Sequence, residues 1–294
     1  MKYYYELTKS GLVFGNLITV IAGFLLGARV LRGADGLLVV NVWLLLSVVV
    51  GIALVMASGC VCNNYIDRDI DMKMDRTKHR ALIKGAVSGR SAFIFACALG
   101  LIGFLMLLLC TNIFATLAAL TGFIFYVFAY SLWGKRRTVY GTFIGAIAGA
   151  TPPVVGYAAA SGRIDVAALI LFVIMVVWQM PHFFAIAIRR HDDYAAAKIP
   201  VMPVQYGIRR TKFSMLIYII EFVLAVTLLY VFGYTGVTYL VVALVLGVAW
   251  LLLSLRGFWI SDGAASQRWA KRMFFLSLAV MVVLFATIAI AAVV

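Results

Sequence analysis

Nine stretches of roughly 20 residues, each almost free of charge, dominate this chain: 12–31, 38–59, 91–110, 112–132, 139–160, 164–188, 213–233, 236–255 and 273–293. About 20 consecutive apolar residues carry a helix across the hydrocarbon of a bilayer. Continuous apolar runs, as opposed to strict alternation, argue against a membrane-spanning sheet. The only charges inside the nine runs are Arg29, Asp165 and Glu221. Composition agrees: 65% of the 294 residues are hydrophobic and 12% charged, against about 45–50% and 25% in soluble domains. The predicted fold class is therefore an all-α membrane protein, a bundle of nine transmembrane helices in a single domain spanning 1–294. A soluble domain, a secreted disulfide scaffold and a disordered tail are all excluded.

The net charge of +14 would suggest nucleic acid in a soluble protein. Here sidedness absorbs it. With the N-terminus and the loops after spans 2, 4, 6 and 8 on one side, that side collects 22 of the 25 Lys and Arg residues. The other side keeps Arg29, Arg32 and Arg163. Basic loops stay in the cytoplasm, so the N-terminus is expected there and the C-terminus on the periplasmic or extracellular side, with no role for nucleic acid. A missed or false span would scramble the alternation, which supports nine as the count. The first span exceeds a signal-peptide core and is expected to remain, and Met1 to Gly11 lacks transit-peptide character. A bacterial plasma (inner) membrane is the simplest location. Cys60, Cys62, Cys97 and Cys110 lie in or beside apolar runs and define no disulfide framework.

Four of the eleven acids fall within nine residues, Asp67, Asp69, Asp71 and Asp75, directly after the second span. A helix continued through them would put Asn63, Asp67, Asp71 and Asp75 on one face at i, i+4, i+8 and i+12. Like charges at that spacing repel unless a cation lies between them, and oxygen-only donors suit Mg²⁺ completed by phosphate oxygens. Lys73, Arg76, Lys78, Arg80 and Lys84 follow in the same loop, and Lys135, Arg136 and Arg137 lie in the loop after span 4. Carboxylates, a divalent ion and Lys/Arg together are what a diphosphate requires. For Lys135 to Arg137 a plain membrane anchor is the competing reading.

The stretch Asn63-Asn64-Tyr65-Ile66-Asp67-Arg68-Asp69-Ile70-Asp71 resembles the N-x-x-x-D-x-x-x-D motif of the UbiA-type intramembrane prenyltransferases. The likeness covers nearly the whole chain, including Leu7-Thr8-Lys9 with Asn16, Tyr130-Ser131-Leu132, Pro152-Pro153-Val154 and Ile199-Pro200-Val201-Met202-Pro203. Trp178-Gln179-Met180-Pro181-His182-Phe183 is similar to the branch of that family that farnesylates haem. The resemblance implies a central cavity open near the cytoplasmic face, with farnesyl diphosphate and protohaem IX as substrates. It implies Mg²⁺ held by Asn63, Asp67 and Asp71, with Lys135 and His182 completing the catalytic set. Asn16, Asn64, Arg76, Lys78, Arg80, Tyr130, Arg136, Trp178, Gln179, Asp192 and Asp193 are the implied substrate contacts. A second DxxxD motif of many relatives is reduced here to Asp192 and Asp193, which argues for one ion or an asymmetric second.

Pro181 predicts a kink just before His182. That histidine is open to three roles, as iron ligand, propionate contact or proton shuttle, against a carbonyl-bonded interfacial histidine. Tyr126, Tyr130, Phe183 and Phe184 are candidates to face an allylic cation, against ordinary bundle packing. Glu221, a lone acid in the seventh span, is expected to face the bundle interior. The competing functions are a prenyltransferase for a quinone precursor and a transporter of haem or a cation. The Trp178–Phe183 stretch opposes the first, and the absence of a repeat opposes the second.

Overall fold

The computed structural model describes residues 2–32, 40–75 and 77–293. Arg76, one of the implied substrate contacts, lies outside them. A short helix α1 (Lys2–Leu7) leads into α2 (Ser10–Arg32), α3 (Val42–Ile66) and the single turn α4 (Arg68–Asp71). Then come α5 (Gly89–Cys110), α6 (Ile113–Arg137), α7 (Gly141–Ser161) and α8 (Val166–Arg189). The short α9 (His191–Ala196) precedes α10 (Met202–Val231), α11 (Val237–Trp259) and α12 (Gly263–Val293). Among the described residues nine helices are long and apolar enough to cross a membrane, and each overlaps one of the nine runs.

Polar residues start the helices where the apolar runs begin. The Asn41 side chain accepts from the Leu44 amide, Asn112 from Ala115 and Asp165 from Ala167, each satisfying an orphan donor of the first turn. Boundaries differ from the sequence expectation at the basic end. There α3 runs on to Ile66, and α10 and α12 start at Met202 and Gly263 rather than near 213 and 273. These extensions are polar, so hydropathy misses them. Within α10 the helix is interrupted at Gly207, whose φ of 81° is open to glycine at no steric cost.

The α8 helix forms the centre of the bundle, with 72% of its most apolar window buried against 22% for α5. It packs on α7, α10 and α12, while α2 joins α7 to α12. The α2–α7 contact is backbone to backbone. A Cβ at Gly23 would run into the Pro153 carbonyl, one at Gly27 would lie 2.5 Å from the Tyr157 carbonyl oxygen, and one at Gly156 would strike the Val20 carbonyl. This is the small-residue logic of helix association in membranes.

Two expectations are corrected. Glu221 is exposed on the outer face of α10, because Met215, Ile219, Phe222, Val226 and Leu229 fill the inward face. The acidic stripe also stops short of Asp75. The chain leaves α3 at Asp67, makes the turn α4 and then departs from helix, so Asp75 is exposed and pairs with Lys78. The α8 helix stays helical through Pro181.

Candidate active site

At the end of the bundle that carries the N-terminus, α2, α3, α6, α7 and α8 line a cavity of about 310 Å³. Its floor adjoins a second cavity of about 440 Å³ deeper in the bundle, and Leu12, Tyr126, Gly145, Phe183 and Ile186 line both. Volumes of this order are typical of small-molecule sites. The upper chamber is the more polar of the two, because the acidic motif caps α3 while the body of each helix is hydrocarbon.

Asn63, Asp67 and Asp71 are buried and all line the upper chamber. Helical hydrogen bonds continue across the end of α3, with the Asp67 amide donating to the Asn63 carbonyl at 2.9 Å and Asp71 to Asp67 at 2.8 Å. The three side chains therefore keep the one-turn spacing read from the sequence. Each meets a cation: Lys9 donates to Asn63 Oδ1, Lys135 to Asp67 Oδ2 and Arg80 to Asp71 Oδ2. Asn63 Nδ2 donates to Asp67 Oδ2 at 2.8 Å and to Ser131 Oγ at 2.9 Å, which fixes its amide.

Asp67 Oδ1 is buried and makes no hydrogen bond, with Arg136 Nη2 at 3.8 Å. A buried carboxylate oxygen without a donor is costly. Beside a second carboxylate and an amide oxygen, it completes the donor set a hard divalent ion takes. Among the described residues no three His, Cys, Asp or Glu converge; beside the two carboxylates the chamber offers the Asn63 amide.

The α6 helix widens to π geometry over Phe125–Gly134, a distortion common at functional sites. It delivers Tyr126, Tyr130 and Lys135 to the chamber, with the two tyrosine rings stacked at 6.0 Å. Ser131 Oγ donates to the Tyr126 carbonyl five residues back. Lys9 and Ser131 are the residues that the sequence left without a role. Lys9 sits at the break between α1 and α2 with φ of 50°. Enclosure by the cavity wall brings its amine down to about 8, with the Arg80 and Lys135 charges acting in the same direction.

In the lower chamber Trp178, Gln179 and His182 lie on one face of α8 together with Asn16 of α2. Gln179 Nε2 donates to the carbonyls of Ala146 and Met175, and Asn16 Nδ2 to that of Leu12. His182 stacks on Trp178 at 4.9 Å and 22°. Phe183 reaches both chambers, whereas Phe184 turns away and packs on Tyr218 of α10.

The remaining sequence candidates lie outside both linings. Asn64 donates to the Leu7 carbonyl and ties α1 to α3. Arg136 grips Asp69 through two 2.7 Å bonds and the Ile66 carbonyl, holding the Asp69 carboxyl down to about 2. Lys78 pairs with Asp75, Asp192 is exposed beside His191, and Asp193 lies 3.7 Å from Arg190.

Fold and site together define the class: a membrane-embedded helical enzyme that separates an anionic head group from an apolar body. Residues 16–279 match the UbiA prenyltransferase family, and the chain belongs to it. A protein named protoheme IX farnesyltransferase from Protochlamydia amoebophila is 48% identical over 288 residues, 98% of either chain. One of the same name from Sodalis glossinidius is 48% identical over 95% of this chain and 90% of its own. Among solved structures, a digeranylgeranylglyceryl phosphate synthase superposes with a TM-score of 0.80 at 18% identity, over 99% of this chain and 98% of its own. A UbiA homolog from Archaeoglobus fulgidus bound to DMAPP and Mg²⁺ gives 0.64 at 16%, over 95% and 99%.

Proposed function

We propose that this protein transfers the farnesyl group of farnesyl diphosphate to a vinyl group of protohaem IX, giving haem O and diphosphate. The observation that carries this is near-complete coverage at 47–48% identity by relatives named for that reaction. The chamber geometry supports it: two carboxylates, one amide and three cations stand at the mouth of an apolar cavity.

Asn63, Asp67 and Asp71 would hold Mg²⁺. Bound there, the ion neutralises diphosphate oxygens and makes diphosphate a better leaving group. Lys9, Arg80 and Lys135 exchange their contacts on the acidic stripe for diphosphate oxygens, placing preorganised charge where it develops. Tyr126 and Tyr130 turn their ring faces to the allylic carbon as it becomes positive. The apolar walls below exclude water until the vinyl carbon attacks. The C–O bond to diphosphate breaks as the C–C bond to the vinyl terminus forms. The positive charge passes to the adjacent carbon, where water adds and one proton leaves.

The 22-to-3 division of basic residues supports a bacterial inner-membrane location. It supports a cytoplasmic N-terminus and a periplasmic or extracellular C-terminus, with the upper chamber opening to the cytoplasm. The whole chain then acts as one catalytic domain. The test is incubation of the purified protein in detergent with haemin, farnesyl diphosphate and Mg²⁺, with pigments weighed by mass spectrometry. A farnesyl-plus-water adduct that disappears on chelation is expected. Unchanged haem alongside prenylation of a hydroxybenzoate would overturn the reading in favour of a quinone precursor.

A further inference from the structure

His182 is held by a hydrogen-bond chain that leaves it one nitrogen to offer. Its Nδ1 lies 2.7 Å from Ser277 Oγ of α12. Ser277 Oγ in turn donates to the Phe274 carbonyl at 2.6 Å. A serine hydroxyl has one hydrogen, and here it is spent on Phe274. With that hydrogen on Phe274, Ser277 accepts from His182, and this is the arrangement in which Nδ1 of the neutral imidazole carries the proton and Nε2 the lone pair. Among the described residues Nε2 has no hydrogen-bond partner, and His182 lines the lower chamber.

Two aromatic neighbours hold the ring plane. Trp178 stacks on it at 22° and Phe274 lies across it at 30°, both with centroids 4.9 Å away. The Trp178 indole N–H donates to the Ser277 carbonyl, so one residue anchors both rings. Ser277 is fully buried and four residues beyond Met273 on the inward face of α12. A cavity-lining histidine held at one ring nitrogen by a fixed partner has the arrangement of a metal-ligating imidazole with its supporting contact.

We propose that Nε2 of His182 is the axial ligand of the substrate haem iron, and that Ser277 is the positioning residue that sets its tautomer and aim. The proposal rests on the reading of protohaem as substrate. Of the three roles open to His182 it selects the first. A proton shuttle needs an onward titratable partner, and the chain from Nδ1 through Ser277 ends at the Phe274 carbonyl. A propionate contact needs the opposite tautomer, with the proton on Nε2, and a preference for haemin over the metal-free ring separates the two.

The test uses the full-length protein in detergent, titrated with haemin and separately with metal-free protoporphyrin IX. The wild type is expected to give an imidazole-ligated haem absorption spectrum and to prefer haemin over the metal-free ring by about tenfold or more. His182→Ala loses both, and free imidazole restores the spectrum. Ser277→Ala weakens haemin binding by roughly 10–100-fold and broadens the ligated band, while Ser277→Thr, which keeps the hydroxyl, stays close to wild type. Binding of farnesyl diphosphate with Mg²⁺ is unchanged in all three variants, which reports that they are folded. A wild-type spectrum in His182→Ala, or a Ser277→Ala protein indistinguishable from wild type, overturns the proposal. If the wild type farnesylates haem with iron ligation insensitive to His182, this inference falls and the proposed activity stands. If it neither binds nor farnesylates haem, the activity itself falls.

Discussion

Asp67 and Asp71 differ from the other acids of the motif in what surrounds them. Both are almost fully buried and each meets one cation inside a cavity, while Asp69 and Asp75 meet theirs near solvent. Exposed pairs contribute about 0–1 kcal/mol, so charge removal at Asp75 leaves both folding and turnover near wild type. Asp67→Asn and Asp71→Asn each remove one negative charge from the proposed ion site. Turnover is expected to fall by about 10³-fold or more, with expression and membrane insertion near normal, as read by initial rates on matched membrane preparations. Wild-type rates in either variant would end the metal assignment. Lys9 belongs to the same set although it lies 54 residues away. Lys9→Met is expected to lower kcat by roughly 10²–10³-fold and to leave haemin affinity unaltered, because Lys9 lines the upper chamber alone.

Helix packing sets how well these side chains can be held. The Gly23-x-x-x-Gly27 face of α2 lies against Pro153, Gly156 and Tyr157 of α7 so closely that an added methyl meets backbone. Overpacking of this kind costs about 1–3 kcal/mol. Gly23→Ala and Gly156→Ala should therefore lower the thermal midpoint in detergent, whereas Gly11→Ala, where a methyl meets open space, should not. The nine spans were legible because an apolar run of bilayer length is a local property of the chain. Asn63, Asp67 and Asp71 were legible because a one-turn spacing is local as well. What local pattern does not carry is the partner. Nothing near Ser131 announces that its hydroxyl receives Asn63 from 68 residues away, nor near Ser277 that it receives His182 from 95. The π widening of α6 has no local signature here either, since Phe125–Gly134 reads as an ordinary apolar run. Glu221 failed for a related reason: a lone acid names no face until the inward positions of its helix are known.

At the scale of the whole molecule the basic residues and the acidic chamber occupy the same end of the bundle. Lys9, Arg80 and Lys135 line that chamber, and Arg189, Arg190, Arg256 and Arg268 end or begin helices on the same side by the alternation of the nine spans. The short connections at the other end carry Asn41, Asn112 and Arg163 with Asp165, where the Tyr157 hydroxyl also donates to Asp165. An anionic, water-soluble head group on a greasy chain approaches such a protein from the compartment that the basic end faces. On the proposed orientation, positive charge there would both set the insertion of the bundle and draw the diphosphate toward its binding chamber. Orientation and substrate access thus depend on one charge distribution. Single cysteines placed in a cysteine-free background at Lys84, Lys198 and Ser261 should react with a membrane-impermeant maleimide only after the cells are opened, and one at Gly162 should react in intact cells whose outer barrier has been permeabilised. Labelling in the reverse pattern would put the acidic chamber on the wrong side of the membrane for a cytoplasmic diphosphate and defeat the proposed route of that substrate to Asp67.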